Sequence, residues 1–203
     1  MLRKFLILTT ILFTAIGASA EFRWGPTAGV NFSTLSWKQD LAKTSMLVGG
    51  QAGVMGEVMI PGIGFGIDFA LRYNLHGAKV NFGDYEIWSS TGIKNQNVWF
   101  HTLELPLNLR FKWTRMNGFE QYLAPFVFGG PVFNITVGTN SQPALEHPAG
   151  YVALQCGAGI ELFERWQVSG GYSWGVSYQT RTIKLDNYSA QYRGGFINVA
   201  YLF

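Results

Sequence analysis

Apolar and polar residues alternate with a period of two along most of this chain, the mark of strands with two unlike faces. Residues 102–113 show it best. Leu103, Leu105, Leu107, Leu109, Phe111 and Trp113 share one face; Thr102, Glu104, Pro106, Asn108, Arg110 and Lys112 share the other. Residues 65–76 and 166–178 repeat the pattern, and weaker alternation marks 22–33, 47–60, 151–163 and 191–203. The run 122–137 is strand-like with its faces left open, because Gly129-Gly130-Pro131 is a candidate bulge. Eight strands are therefore predicted.

The connections between them alternate in length. Those at 34–46, 79–99, 138–150 and 179–190 are long; those at 61–64, 114–120 and 164–165 are short, with Asn117-Gly118 as a turn signal. An even strand number with alternating long and short connections predicts an all-β, antiparallel, up-and-down transmembrane barrel of the outer-membrane kind. A soluble barrel alternates too, but two features favour lipid on the outside. The polar face is rich in Gly and Ser where a solvated surface would carry Lys and Glu, as at Gly25, Gly29, Gly53, Gly66, Gly157 and Gly171. The apolar face also ends in aromatic residues. Trp24, Phe65, Trp113, Trp166, Tyr201 and Phe203 are predicted at one membrane boundary, and Tyr73, Trp99, Tyr172, Trp174 and Tyr178 near the other. Ile197, Val199, Tyr201 and Phe203 continue the alternation to the last residue.

Composition agrees with a membrane wall. The chain is 48% hydrophobic and only 13% charged, about half the charge of a soluble domain. A net charge of +3 with no basic stripe excludes a nucleic-acid partner. The one cysteine, Cys156, excludes an internal disulfide framework and reads as a small hydrophobe on the lipid face. Residues 1–20 read as a cleaved signal peptide: basic Arg3 and Lys4, an apolar run, then Ala18-Ser19-Ala20. The barrel is then residues 21–203, exported to the outer membrane with both termini in the periplasm.

Eight charges fall on the inward face: Arg23, Arg72, Arg110 and Lys112 against Glu57, Asp68, Glu104 and Glu161. An eight-stranded interior is just wide enough for side chains to fill. Unpaired ions there are prohibitively costly, so a cross-lumen network and a plugged barrel are predicted. Glu104 or Asp68 with Arg72 or Arg110 are the expected pairs. An ion or small-solute path is the alternative use of the same charges. His76, His101 and His147 lack metal-ligand spacing, so no catalytic residue, metal or cofactor is expected. Tyr85, Ile87 and Trp88 in the 79–99 connection are candidate contacts for an adhesin or receptor.

Four segments carry a family resemblance. Residues 103–111, reading LELPLNLRF, resemble a strand of the PorT-family outer-membrane barrels of Bacteroidota. Residues 124–131 (APFVFGGP), 29–33 (GVNFS) and 157–161 (GAGIE) are similar to further strands of that family. The resemblance implies the barrel fold and no catalytic residue. It also implies that the terminal strand ending at Phe203 is read by the barrel-assembly machinery. The family's name-giving member is implicated in type IX secretion, so the resemblance implies an accessory role beside secretion-system proteins.

Overall fold

The computed structural model describes residues 21–37, 43–60, 62–81, 95–140, 145–146, 148–182 and 189–203. Eight long strands make the wall: β1 (Glu21–Trp37), β2 (Lys43–Met59), β3 (Phe65–Asn81), β4 (Asn95–Lys112), β5 (Leu123–Thr139), β7 (Gly150–Leu162), β8 (Trp166–Gly175) and β10 (Ser189–Tyr201). Two short strands, β6 (Leu145–Glu146) and β9 (Thr180–Thr182), pair with each other, and β9 also pairs with β10. No helix among the described residues is long and apolar enough to cross a membrane.

Each long strand pairs antiparallel with the next, and β1 pairs with β10 from Thr27↔Ala200 to Trp37↔Ala190. The sheet is therefore a closed eight-stranded barrel without a free edge. Closure brings the walls close at small residues. A Cβ at Gly25 would lie 1.7 Å from the Tyr201 carbonyl oxygen, so only glycine fits at that crossing of β1 and β10.

Strands β1 to β4 are longer than the alternation of apolar and polar residues implied, and on β1, β3 and β4 the polarity inverts along the strand. In the half of the barrel next to the short turns, apolar residues point out and polar residues point in. On β3, Phe65, Ile67, Phe69, Leu71 and Tyr73 are exposed while Asp68, Arg72 and Asn74 are buried. Towards the long connections the same strands turn apolar residues inward: Leu35, Ala78, Val80, Val98, Phe100 and Ala190 form one buried cluster. Arg193 and Lys79 now face out. Outside the hydrocarbon the wall meets water, so the apolar face belongs inside, as in a soluble barrel. Taking every apolar face as a lipid face ended the strands too early. Trp99, expected in a connection, lies within β4.

Other expectations need correction. Gly129-Gly130-Pro131 holds no bulge; β5 runs through it in register with β7. The register shifts lie at Met46/Gly50 in β2–β3 and at His101/Thr102 in β4–β5. Ala124, Phe126, Val132 and Asn134 face inward on β5. β8 ends at Gly175, so Tyr178 lies beyond the strand. The 114–120 connection includes a 3-10 turn at Phe119–Gln121 after Asn117 and Gly118, both at positive φ.

The crossing at Gly25 gives a test. Gly25→Val should block closure, so the unboiled protein migrates on a detergent gel like the boiled one. Gly170→Ala, whose Cβ would have 3.5 Å of clearance, should retain the heat-dependent shift.

Candidate functional site

The barrel interior is where chemistry-bearing side chains meet. Inward parity on β1, β2, β4, β7 and β8 brings Arg23, Glu57, Arg110, Lys112, Glu161 and Gln167 together near the short turns. Glu57 is wholly buried. It accepts hydrogen bonds from Arg23 Nε at 2.9 Å, from Gln167 Nε2 at 2.8 Å and from Arg110 Nη1. Glu161 accepts from Arg23 Nη2 at 2.8 Å, Lys112 Nζ at 3.0 Å and Gln167 Nε2 at 2.8 Å. Gln167 closes the ring by accepting from Arg110 Nη2 at 2.9 Å. Arg23 also donates to the carbonyl oxygen of Glu164 in the β7–β8 turn.

A second tier lies above this one. Arg72 pairs with Glu104 at 3.3 Å. Glu104 accepts from Asn74, whose own oxygen accepts from Asn31 at 2.7 Å. Asp68 accepts from Asn108 Nδ2 at 2.6 Å and lies 3.8 Å from Arg110 Nε, and Asn108 accepts from Gln155 at 2.9 Å. The guanidinium of Arg110 stacks 3.7 Å from the Phe126 ring centroid, and that of Arg72 lies 5.9 Å from Phe196. Between them remains a void of about 40 Å³, a volume suited to water and not to a solute.

The third tier surrounds His76. Gln179 Nε2 donates to His76 Nε2 at 2.6 Å, and the Tyr151 hydroxyl lies 3.3 Å from the same atom. On the other side of the ring, Thr102 Oγ1 lies 3.5 Å from His76 Nδ1. Phe100 and Tyr192 flank the ring at 5.6 and 5.0 Å. The partners of His76 named here are a carboxamide, two hydroxyls and two aromatic rings. Among the described residues no group of His, Cys, Asp and Glu is placed to hold a metal ion.

Residues 17–180 match the family model described as outer membrane protein beta-barrel domain. The chain belongs to that family.

This outer-membrane barrel also resembles solved structures. OprG from Pseudomonas aeruginosa is 12% identical with a TM-score of 0.49, covering 91% of this chain and 95% of that one. Ail of Yersinia pestis, solved with the heparin analogue sucrose octasulfate, is 12% identical with a TM-score of 0.46 over 90% and 99%. The outer membrane enzyme PagL is 11% identical with a TM-score of 0.43 over 84% and 97%. No curated protein sequence matches the chain.

All eight charges expected in the lumen lie on the inner face of this outer-membrane barrel. Both expected pairs occur, Arg72 with Glu104 at 3.3 Å and Arg110 with Asp68 at 3.8 Å, and Arg110 in addition donates a hydrogen bond to Glu57, a partner the sequence did not single out. Trp24, Phe65, Trp113, Trp166 and Phe203 are exposed at the short-turn end, in ring contacts such as Trp24–Phe203 at 5.5 Å and Trp166–Tyr201 at 5.0 Å. Tyr73 and Tyr172 are exposed further along the wall, Trp99 and Trp174 half-buried. Ile197 and Val199 face outward on β10, and Phe203 N–H donates to Trp24 O at 2.8 Å. Cys156 is exposed on the outer wall. Tyr85, Ile87 and Trp88 lie outside the described residues. Charge alone did not single out Gln167, Asn74, Asn108 or Gln155; their inward parity in register with the charges was the available signal.

Removing one member of a buried ion network leaves its partners uncompensated, at about 3–5 kcal/mol. Glu57→Ala should therefore lower the urea midpoint of the vesicle-inserted protein sharply. Lys112→Met, at the more open edge of the network, should lower it less. A midpoint unchanged in Glu57→Ala would remove Glu57 from the centre of the plug.

Proposed function

We propose that this protein is a non-enzymatic accessory component of the outer membrane that works through its ends and outer wall, not by passing cargo through its lumen. The observation that carries the reading is the stacking of three filled layers across the interior: the Glu57–Glu161 network, the Arg72–Glu104 tier and the apolar cluster around Phe100. Four positive and four negative side chains balance there, so together they give the interior no net charge to favour ions of one sign. In the proposed orientation the short turns and both ends of the barrel face the periplasm, after removal of a leader. β10 then presents Ile197, Val199 and Tyr201 to the assembly machinery. The resemblance to PorT-family barrels supports partners in a secretion system.

Two experiments bear on this reading. Purified protein in planar bilayers should give no unitary conductance steps; regular steps from the wild type would favour the channel alternative. A deletion strain should accumulate secreted proteins in the periplasm, reversed by the wild-type gene. Unaltered export would leave the resemblance as one of fold only.

A further inference from the structure

The short-turn end carries a feature that neither the plug nor the fold requires. Gly64 has a φ of 79°, and a Cβ there would lie 2.2 Å from the Lys112 carbonyl oxygen. Glycine thus lets the β2–β3 turn lie directly against the end of β4, where Gly64 O accepts from Lys112 N–H at 2.7 Å. Arg115, just past β4, reaches back across this junction and donates from Nη2 to Gly62 O at 3.1 Å. Its guanidinium is thereby held at the rim of a concavity of about 320 Å³ completed by Ile63, Phe111, Lys112, Trp113 and Thr114, with the Lys112 ammonium turned inward onto Glu161.

Arg115 has no carboxylate partner among the described residues. Glu120, the acid of the same connection, is engaged elsewhere: it accepts from the backbone N–H groups of Met116 at 3.1 Å and Gly118 at 2.9 Å. Its own backbone N–H and these two hold its carboxyl below the usual range. Next to the guanidinium is an apolar ledge on the outer wall. Phe65 and Phe111 rings lie 4.9 Å apart, Phe111 and Trp113 rings 4.8 Å apart, and Trp113 is 44% exposed. A fixed cation at the height of the aromatic girdle, beside a ledge open to hydrocarbon, matches a molecule with a phosphate at one end and an acyl chain at the other.

We propose that this concavity binds an anionic phospholipid, its phosphate on the remaining N–H groups of Arg115 and its acyl chain along Phe65, Phe111 and Trp113. A free phosphate would leave the ledge unused. The inference rests on the outer wall facing lipid, which family membership supplies, and not on the accessory role.

Native mass spectrometry of the full protein released from detergent, loaded with phosphatidylglycerol or phosphatidylcholine of equal chain length, tests it. Retention of phosphatidylglycerol should be about fivefold higher, the ratio one surface cation supports. Arg115→Ala should equalise the two lipids, and Trp113→Ala should lower both. Arg165→Ala is the control; that arginine donates to the Tyr201 hydroxyl at 3.2 Å elsewhere on the rim, and its loss should leave the preference intact. Three results would overturn the site: equal retention in the wild type, a preference that survives Arg115→Ala, or an equal loss in Arg165→Ala. Displacement of the lipid by millimolar inorganic phosphate, with no effect of acyl length, would also overturn it in favour of a bare anion site. The heat-dependent gel shift reports folding of each variant separately, and Arg115→Gln replaces Arg115→Ala if the latter does not close. A wild type without that shift would instead sink the barrel reading.

Discussion

In hydrocarbon there is no water to pair a backbone N–H or C=O, so a sheet in a membrane must close on itself. The β1–β10 ladder from Thr27↔Ala200 to Trp37↔Ala190 does this. Closure then sets the other demands on the chain. A closed wall of eight strands encloses a narrow space, so its inward positions must be filled by side chains that fit together. Strands that cross closely need glycine at the crossing, as at Gly25. The outward positions must satisfy whatever medium lies at their height.

The interior meets those demands differently at different heights. Within the apolar band the outer face is committed to lipid, so alternation leaves the polar residues for the lumen. The two most deeply networked carboxylates are tolerable there because they are compensated: Glu57 by Arg23, Arg110 and Gln167, and Glu161 by Arg23, Lys112 and Gln167. Beyond the band water takes over the outside, and Leu35, Val80, Val98 and Phe100 fill the inside. His76 sits at the changeover, with polar partners on one side and Phe100 and Tyr192 against its ring. One continuous strand such as β3 thus serves as a membrane wall over its first half and as a soluble-barrel wall over its second.

The same inversion explains what was legible in the sequence. Strand period and the inward phase of the charges are local properties, legible in segments such as 65–76 and 102–113, and the strand number followed from counting such segments along the chain. The length of the strands was not legible, because Ala78, Val80, Val98 and Phe100 keep the period while the meaning of the apolar phase changes. Nor was the whole network within the lumen: Arg72–Glu104 and Arg110–Asp68 were expected, but the contacts centred on Glu57 were not. Glu57 and Arg110 are 53 residues apart, and their contact depends on barrel closure and stagger, which periodicity does not encode. Gln167 was overlooked for a related reason: it carries no charge, yet it binds both carboxylates.

Plug and turn are also mechanically linked. Phe163 and Glu164 both adopt left-handed backbone, with φ of 52° and 59°, a conformation that costs residues of this kind about 1–3 kcal/mol each. Such strain persists only where surrounding contacts over-determine it. Here Arg165 N–H donates to Leu162 O at 3.2 Å across the turn, and the Glu164 carbonyl is held from inside by Arg23. Arg23 in turn is held by Glu57 and Glu161. The tight β7–β8 hairpin therefore leans on the buried network. Loosening the network would release the Glu164 carbonyl and free a turn at the barrel's end, which couples the buried charges to the shape of the short-turn surface.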